Sequence, residues 1–147
     1  MNNRLNPARG REFEMYAAQV LGRHFGLTLE TDHPIEIGEP AKPHKFDLVG
    51  FRDGVPTHVG ECKRYSWTAT GNVPSAKMAV LNEALLYLSL LPDDVRRFIV
   101  MPRAFHARRA ETLVEYYCRT YSHLLGNVSV IEIEMATDEI KTFGRMS

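Results

Sequence analysis

The chain has 147 residues, 44% hydrophobic and 24% charged, a composition typical of a globular domain and not of a disordered or membrane protein. Its 18 Lys and Arg residues balance its 18 Asp and Glu residues, so net charge gives no argument for nucleic-acid binding, although a local basic face is still compatible with that balance. We expect one domain over residues 1–147.

Two cysteines, Cys62 and Cys118, are too few for a disulfide framework, and their spacing matches no zinc motif. The opening residues, MNNRLNPARGRE, have no apolar stretch of the kind that a secretory signal needs. No uninterrupted apolar run reaches the length of a membrane span. These features predict a soluble, cytoplasmic protein with reduced cysteines.

The first predicted element is a helix over residues 7–25, where apolar residues recur three and four positions apart. Gly26 is placed to end it. Glu12 and Glu14 fall in its first turns, near the positive end of the helix dipole. We interpret Glu12 as a solvated charge. Glu14 lies closer to the apolar face, and a solvated role and a functional role both stay open for it.

A β-hairpin is the next strong prediction. Residues 27–37 form either one bent edge strand or two short pieces, because Pro34 cannot donate to a strand ladder. Residues 38–44 are predicted as a loop. Strands over residues 45–51 and 57–65 then flank a turn at Arg52-Asp53-Gly54. A polar loop follows over residues 66–74.

The remaining residues alternate helices with strands. Residues 75–91 form a helix with a wide apolar circumference, which indicates burial against a sheet or a partner. Residues 96–101 read as a strand buried on both faces, residues 105–125 as a third helix and residues 128–135 as a further strand, with a ragged tail after it. Strands joined through helices require crossovers, so part of the sheet is predicted to be parallel in an α/β fold.

The hairpin carries the residues with the clearest chemistry, Asp47, Glu61 and Lys63. Strand alternation places Glu61 and Lys63 on one face and turns Cys62 away. Two carboxylates on neighbouring strands are a ligand pair that Mg²⁺ accepts, and a bound Mg²⁺ can activate water beside a phosphate. The carbonyl of Cys62 is available as a further oxygen ligand, and Glu14 can complete the shell.

A structural explanation of these charges has to be weighed as well. A single E-x-K on a strand usually marks an exposed, salt-bridged face, and Asp47 alone fits a surface position beside a turn. The apolar neighbours Phe46, Leu48 and Val59 instead place the charges within core strands, where an unpaired charge is costly. Ionisable groups kept in such positions are more often functional.

The pattern resembles the PD-(D/E)XK, or restriction-endonuclease-like, nuclease superfamily. The matching residues are Glu14 at the end of GREFE, Asp47 in KFDLVGF and Glu61-Cys62-Lys63 in VGECKRY. Phe46 stands where that family has its name-giving proline. The resemblance implies a restriction-endonuclease-like αβββαβ core with an added C-terminal helix and strand, and a mixed central sheet flanked by helices.

The resemblance also implies an activity. Asp47 and Glu61 would hold Mg²⁺, for which Mn²⁺ can substitute, with Lys63 as the catalytic lysine and Glu14 as an accessory acid. The expected reaction is metal-dependent endonucleolytic hydrolysis of phosphodiester bonds in DNA. Such proteins often add a polar residue from the helix after the E-x-K strand. Lys77 is the best candidate here, whereas Asn82 reads as an ordinary helix position.

Basic residues elsewhere predict a nucleic-acid contact surface that includes Arg64 and Arg103. Arg108 and Arg109 could extend this surface, with Tyr65 and Trp67 available for stacking, although scattered arginines more often form a solvated face. His106 and the other histidines show no metal-ligand spacing.

Two alternatives to the nuclease remain open. One is a catalytically inactive protein of the same fold that binds nucleic acid or a protein partner, and neutral net charge favours it somewhat. The other is an unrelated α/β interaction domain with an accidental E-x-K. A domain this small has little surface for selecting a sequence, so we expect a homodimer or a specificity partner. Sequence preference, and DNA against RNA, stay undecided.

Overall fold

A mixed six-stranded sheet with helices on both faces forms the centre of the computed structural model, which describes residues 6–144. The spatial order of the strands is β1-β2-β3-β4-β7-β8, and β5 pairs with β6 in a small separate hairpin. The elements in chain order are α1 (Asn6–Phe25), β1 (Leu29–Ile37), β2 (Lys42–Arg52), β3 (Val55–Cys62), α2 (Ser75–Ser89), β4 (Arg96–Pro102), β5 (Phe105–His106), β6 (Glu111–Thr112), α3 (Leu113–Thr120), α4 (Ser122–Leu125), β7 (Val128–Glu134) and β8 (Glu139–Phe143).

Strand direction divides the sheet into three parts. Strands β1, β2 and β3 are antiparallel and joined by short connections. Strand β4 is parallel to both β3 and β7, so the chain crosses over through α2 and then through the segment containing α3. Strand β8 returns antiparallel to β7. The predicted α/β class with a mixed central sheet flanked by helices is confirmed.

Each face of the sheet has its own core. Helix α1 packs Phe13 and Leu21 on one face, as its apolar periodicity predicts. On the other face, Leu81 and Leu88 of α2 share a core with Tyr117 of α3. Both faces of the sheet are therefore covered, which explains the continuous apolar run in β4.

The predicted third helix over residues 105–125 is wrong in extent. Its first residues form the β5–β6 hairpin, with Ala110 at a φ of +57° just before β6. Helix α3 begins only after Thr112, whose side chain accepts from the backbone N–H of Glu115 while the Glu115 carboxylate accepts from the backbone N–H of Thr112. This capping box was visible in the sequence as a Thr followed three residues later by a Glu.

The predicted tail is also wrong. Residues 139–143 form β8 after a turn in which Asp138 adopts a φ of +61°, and they pair with β7 along its length. Apolar periodicity could not indicate this strand because it is an edge strand whose residues are all exposed or half-buried.

The hairpin begins earlier and ends earlier than predicted. Strand β2 starts at Lys42, so His44 lies in a strand and not in the predicted loop, and β3 ends at Cys62. Of the two readings for residues 27–37, the structure has one strand, β1, at the edge of the sheet. Over the described part of the chain, no helix combines the length and apolarity needed to cross a membrane.

Candidate functional site

Four carboxylates from four consecutive elements meet where the middle of β2 lies against the end of β3. Carboxylate oxygens of Glu14 (α1), Asp32 (β1) and Asp47 (β2) all lie within 4.8 Å of one another. Glu61 of β3 is a neighbour of both Asp47 and Glu14, since the charges of these two carboxylates raise its pKa. The structure thus brings together Glu14, Asp47 and Glu61, as the sequence predicted, and adds Asp32.

Asp32 was missed because its surroundings, Asp32-His33-Pro34, read as an interruption of the edge strand. The pairs Thr31–Leu48 and His33–Phe46 flank it, which places Asp32 directly across from Asp47. The register between β1 and β2 would have predicted this position for Asp32, but the sequence alone does not give that register.

The backbone bends where Asp32 and Asp47 face each other. Asp32 adopts a φ of +52°, in the left-handed region that non-glycine residues rarely occupy. On β2, Phe46 belongs to the core under α2 whereas Leu48 belongs to the core under α1, so the regular alternation of side chains is interrupted between them. The interruption leaves the carboxylates between the two cores.

Two of the four carboxylates are deeply buried. Glu14 is 8% exposed and Glu61 is 4% exposed. Burial, reinforced by the charge of Asp47, raises the pKa of Glu14 to about 7 and that of Glu61 to about 9. Lys63 opposes the rise at Glu61, and Arg11 opposes it at Glu14.

The donor set fits a hard divalent cation. Oε1 of Glu14 is buried with no hydrogen-bond partner among the described residues, an arrangement that costs free energy unless a ligand satisfies it. Mg²⁺ and Mn²⁺ take carboxylate oxygens of this kind, and their charge would offset the burial and the repulsion that raise the pKa of Glu14 and Glu61.

Backbone and aromatic contacts hold Asp47 and Glu61 in place. Oδ2 of Asp47 accepts a 2.8 Å hydrogen bond from the N–H of Cys62. Oε1 of Glu61 lies 3.0 Å from Nε2 of His44. The His44 ring stacks on Tyr87 of α2 with centroids 3.9 Å apart and an interplanar angle of 13°. Sequence reasoning missed His44 because it placed this residue in a loop.

Cys62 turns away from Glu61, as predicted, and lies on the side of the sheet that α1 covers, although it lines the same cleft as Lys63. Its side chain packs against the core under α1. Burial, which is the main cause, and the nearby carboxylates raise the pKa of its thiol, so it is a packing residue and not a nucleophile.

A basic cleft of about 670 Å³ opens at the ends of β3 and β4. Its described lining includes five cationic side chains and no acidic one. Lys63 and Arg64 come from the segment after β3, and Lys77 comes from the first turn of α2. Arg103 follows β4, and Arg9 belongs to α1. The three residues predicted to contact nucleic acid therefore share one cleft with Lys63.

Other predicted contacts serve the structure instead. The Trp67 side chain is buried and donates from Nε1 to the carbonyl of Ala104 at 2.9 Å, so it is not open for stacking on a ligand. Arg109 lies over its ring at 4.7 Å. Arg108, in the turn between β5 and β6, donates to Asn72 in the loop between β3 and α2, at 3.1 Å.

Asn82 also has a structural role. Its Oδ1 accepts a 2.9 Å hydrogen bond from the hydroxyl of Tyr117, which ties α2 to α3. Lys77 of the same helix points toward the basic cleft, where its Nζ lies 5.3 Å from the centroid of the Tyr65 ring.

No protein-family model, curated protein or solved structure matches the chain. The site is therefore described by its own geometry, a cluster of four carboxylates next to a basic cleft.

Proposed function

We propose that this protein is a metal-dependent nuclease of the restriction-endonuclease-like type, which hydrolyses phosphodiester bonds in DNA. The observation that carries the proposal is the convergence of Glu14, Asp47 and Glu61 beside a cleft that contains Lys63. Four elements separated in sequence contribute to this cluster, which argues against an accidental E-x-K.

The topology gives independent support. The order from α1 to β4 is helix, three antiparallel strands, helix, parallel strand, which is the αβββαβ order that the sequence resemblance implies. The crossover through α2 places Lys77 and the β3 end on the same cleft.

Each side chain has a distinct task in the proposed reaction. A Mg²⁺ ion would be held by the four carboxylates, Glu14, Asp32, Asp47 and Glu61. When bound, it would supply a water of lowered pKa and neutralise charge on the phosphate. The N–H of Cys62 fixes the Asp47 carboxylate, and His44 fixes that of Glu61. Lys63, which lines the basic cleft, would contact a phosphate bound there.

Hydrolysis adds one water across a P–O bond. The water oxygen bonds to phosphorus and releases a proton, and the departing sugar oxygen takes up a proton. The cations of the basic cleft stabilise the negative charge that builds on the phosphate oxygens.

Cleavage of a panel of single-stranded, duplex and branched DNA with Mg²⁺ or Mn²⁺ tests the proposal. Lys63→Ala should lower the cleavage rate by roughly 10²- to 10³-fold, since it removes one charge that stabilises the transition state. Lys45→Ala, a change at an exposed lysine of β2, is the matched control and should cut at the wild-type rate. The proposal fails if the wild type cuts nothing, or if Lys63→Ala cuts equally well.

Calorimetric titration with Mg²⁺ and Mn²⁺ tests the metal site separately. Asp47→Asn and Glu14→Gln should abolish or strongly weaken binding, whereas Glu12→Gln, on an exposed position of the same helix, should leave it unchanged. No metal binding by the wild type would instead support the inactive nuclease-fold alternative that only binds nucleic acid or protein.

A further inference from the structure

The basic cleft has walls on several sides. Its lining comes from α1 (Arg9, Gly10), from the segment after β3, from α2 (Lys77), from the end of β4 and from Met135 after β7. Cations that face one another across a concavity can surround the backbone of one strand. A duplex, which presents its backbones on a broad convex surface, reaches only the cations at the rim.

Aromatic rings accompany these cations. Tyr65 is half-buried in the cleft lining, with Lys77 Nζ 5.3 Å from its ring centroid. Phe105, 51% exposed, lies beside the cleft, with Cζ of the lining residue Arg103 5.5 Å from its ring centroid. About half of Phe105 is therefore accessible to a ligand that binds beside Arg103.

The loop between β3 and α2, which forms one wall of the basic cleft, is held by contacts with the β5–β6 hairpin. Trp67 bonds to Ala104, Gly71 packs against His106 at a φ of +84°, and Arg108 reaches Asn72. The β5–β6 hairpin, which includes Phe105, thus holds the segment between β3 and α2. Both aromatic positions are presented by one interlocked unit, which lowers the entropy lost when a ligand stacks on them.

We propose that the basic cleft binds an unpaired DNA strand, with Phe105 and Tyr65 as base-stacking positions next to the scissile phosphate. Stacking on a side chain requires a free base face, and in a duplex both faces of each base are covered by neighbouring pairs. Cations that follow the backbone, combined with aromatic rings, are the general means of binding single strands without sequence preference. This inference rests on the proposed nuclease function and gives it a substrate class, a single-stranded region.

Fluorescence anisotropy with a labelled oligonucleotide and its own duplex tests the inference. Measurements in Ca²⁺, without Mg²⁺ or Mn²⁺, record binding separately from cleavage. The single strand should bind at least tenfold more tightly than the duplex at the same salt concentration. Equal or tighter binding of the duplex would overturn the inference.

Substitutions in the cleft locate the binding surface. Phe105→Ala and Tyr65→Ala should each weaken single-strand binding by roughly 5- to 100-fold, and Tyr65→Phe should retain it, because stacking is lost only in the alanine variants. Leu86→Ala, which shortens an exposed apolar residue on α2, is the control for Phe105→Ala and should bind normally. If Phe105→Ala, Tyr65→Ala and Leu86→Ala all bind like the wild type, the aromatic positions are not used and the inference is wrong.

Salt dependence supplies a second readout. Lys77→Gln should reduce the slope of log affinity against log salt by about 0.7, the value for one phosphate contact on a single strand. Arg52→Gln, at the β2–β3 turn, should leave the slope unchanged. If the variants change single-strand binding but the protein cuts nothing in Mg²⁺, the cleft binds single strands and the proposed nuclease activity is wrong. The failure of the binding inference and the failure of the proposed function are therefore distinguishable.

Discussion

Strands β3 and β4 lie side by side and parallel at the centre of the sheet, and they carry different kinds of side chain. In register, Glu61 of β3 is next to Ile99 of β4, and Gly60 is next to Phe98. Strand β4 buries an apolar run from Phe98 to Met101. Strand β3 buries His58 and Glu61 at equal depth. Equal burial therefore does not require equal polarity, because residues 98–101 of β4 contribute only packing, whereas β3 contributes the ionisable His58 and Glu61.

The two strands depend on each other at Gly60. A Cβ at this position would lie 2.1 Å from a ring carbon of Phe98, so the ring occupies space that only a glycine leaves free. The same ring contacts Phe25 of α1, with centroids 5.4 Å apart. The size of the Phe98 side chain thus requires a glycine just before Glu61. We expect a change in this packing to alter the geometry of the acidic cluster.

The largest expected effect follows from removing that bulk. Phe98→Ala should lower the free energy of unfolding by about 3–5 kcal/mol, the range for truncating a buried phenylalanine. Urea unfolding followed by circular dichroism measures it. Leu86→Ala, at a 60% exposed position, should change stability by less than about 0.5 kcal/mol. Equal losses in both variants would show that the Phe98 ring stabilises the fold no more than an exposed side chain does.

Gly60→Ala should have the next largest effect. The added methyl group overlaps the Phe98 ring, and overpacking of this kind costs about 1–3 kcal/mol. Phe98→Leu in the same chain should recover part of that loss, so the two changes should be non-additive in a double-mutant cycle. Strict additivity of the two unfolding free energies would show that the ring is not the obstacle.

Titration of Glu61 gives a smaller effect within any one pH unit, and this effect accumulates as pH rises. The unfolded chain releases this proton near its ordinary pKa of 4.5, whereas the folded, metal-free protein holds it to about 9. The folded state therefore binds more protons between these pH values, and its stability falls as pH rises, by up to about 1.4 kcal/mol per pH unit.

Glu61→Gln should remove that slope. Thermal unfolding from pH 5 to pH 9 of the wild type, Glu61→Gln and the exposed control Glu12→Gln measures the difference. Mg²⁺ should raise the melting temperature of the wild type most at high pH, since the ionised carboxylates bind it. A Glu61→Gln protein with the wild-type pH slope would show that this carboxylate is already ionised in the folded state.

The smallest effect concerns His58, in the middle of β3. Burial and then Arg96 and Arg52 lower the pKa of this histidine. The unfolded chain takes up its proton near pH 6.5 while the folded protein does not, so stability is lost as pH falls below 6.5. His58→Gln should reduce this loss, by less than about 1 kcal/mol, in melting curves between pH 5 and pH 7. An unchanged acid slope would contradict it.

The sequence correctly predicted those elements whose local residue pattern matches their packing in the fold. Apolar periodicity predicted α1 and α2, the turn at Asp53-Gly54 predicted the β2–β3 hairpin, and an apolar run predicted β4. Asp47 and Glu61 were predicted to act together because charges within core strands are costly unless they have a role, and the family resemblance added Glu14 to them.

The parts that could not be predicted depend on tertiary contacts. Asp32 joins the cluster through strand register and a left-handed backbone at its own position. His44 is placed by stacking on Tyr87, which is more than 40 residues away in sequence. The β5–β6 hairpin is stabilised by its contacts with the loop after β3, so its own residues gave only a helix-like pattern.

The two edges of the sheet bear on how the protein behaves at high concentration. The outer strand β1 carries Pro34 and exposed Glu36, and β8 carries exposed Glu139 and Lys141. A proline and alternating charges on an open edge hinder the addition of another strand, which is the step that starts β-type aggregation. Any self-association of this chain should therefore leave the sheet edges unpaired and use a helix surface, such as the exposed Leu86 and Leu90 of the α2 region.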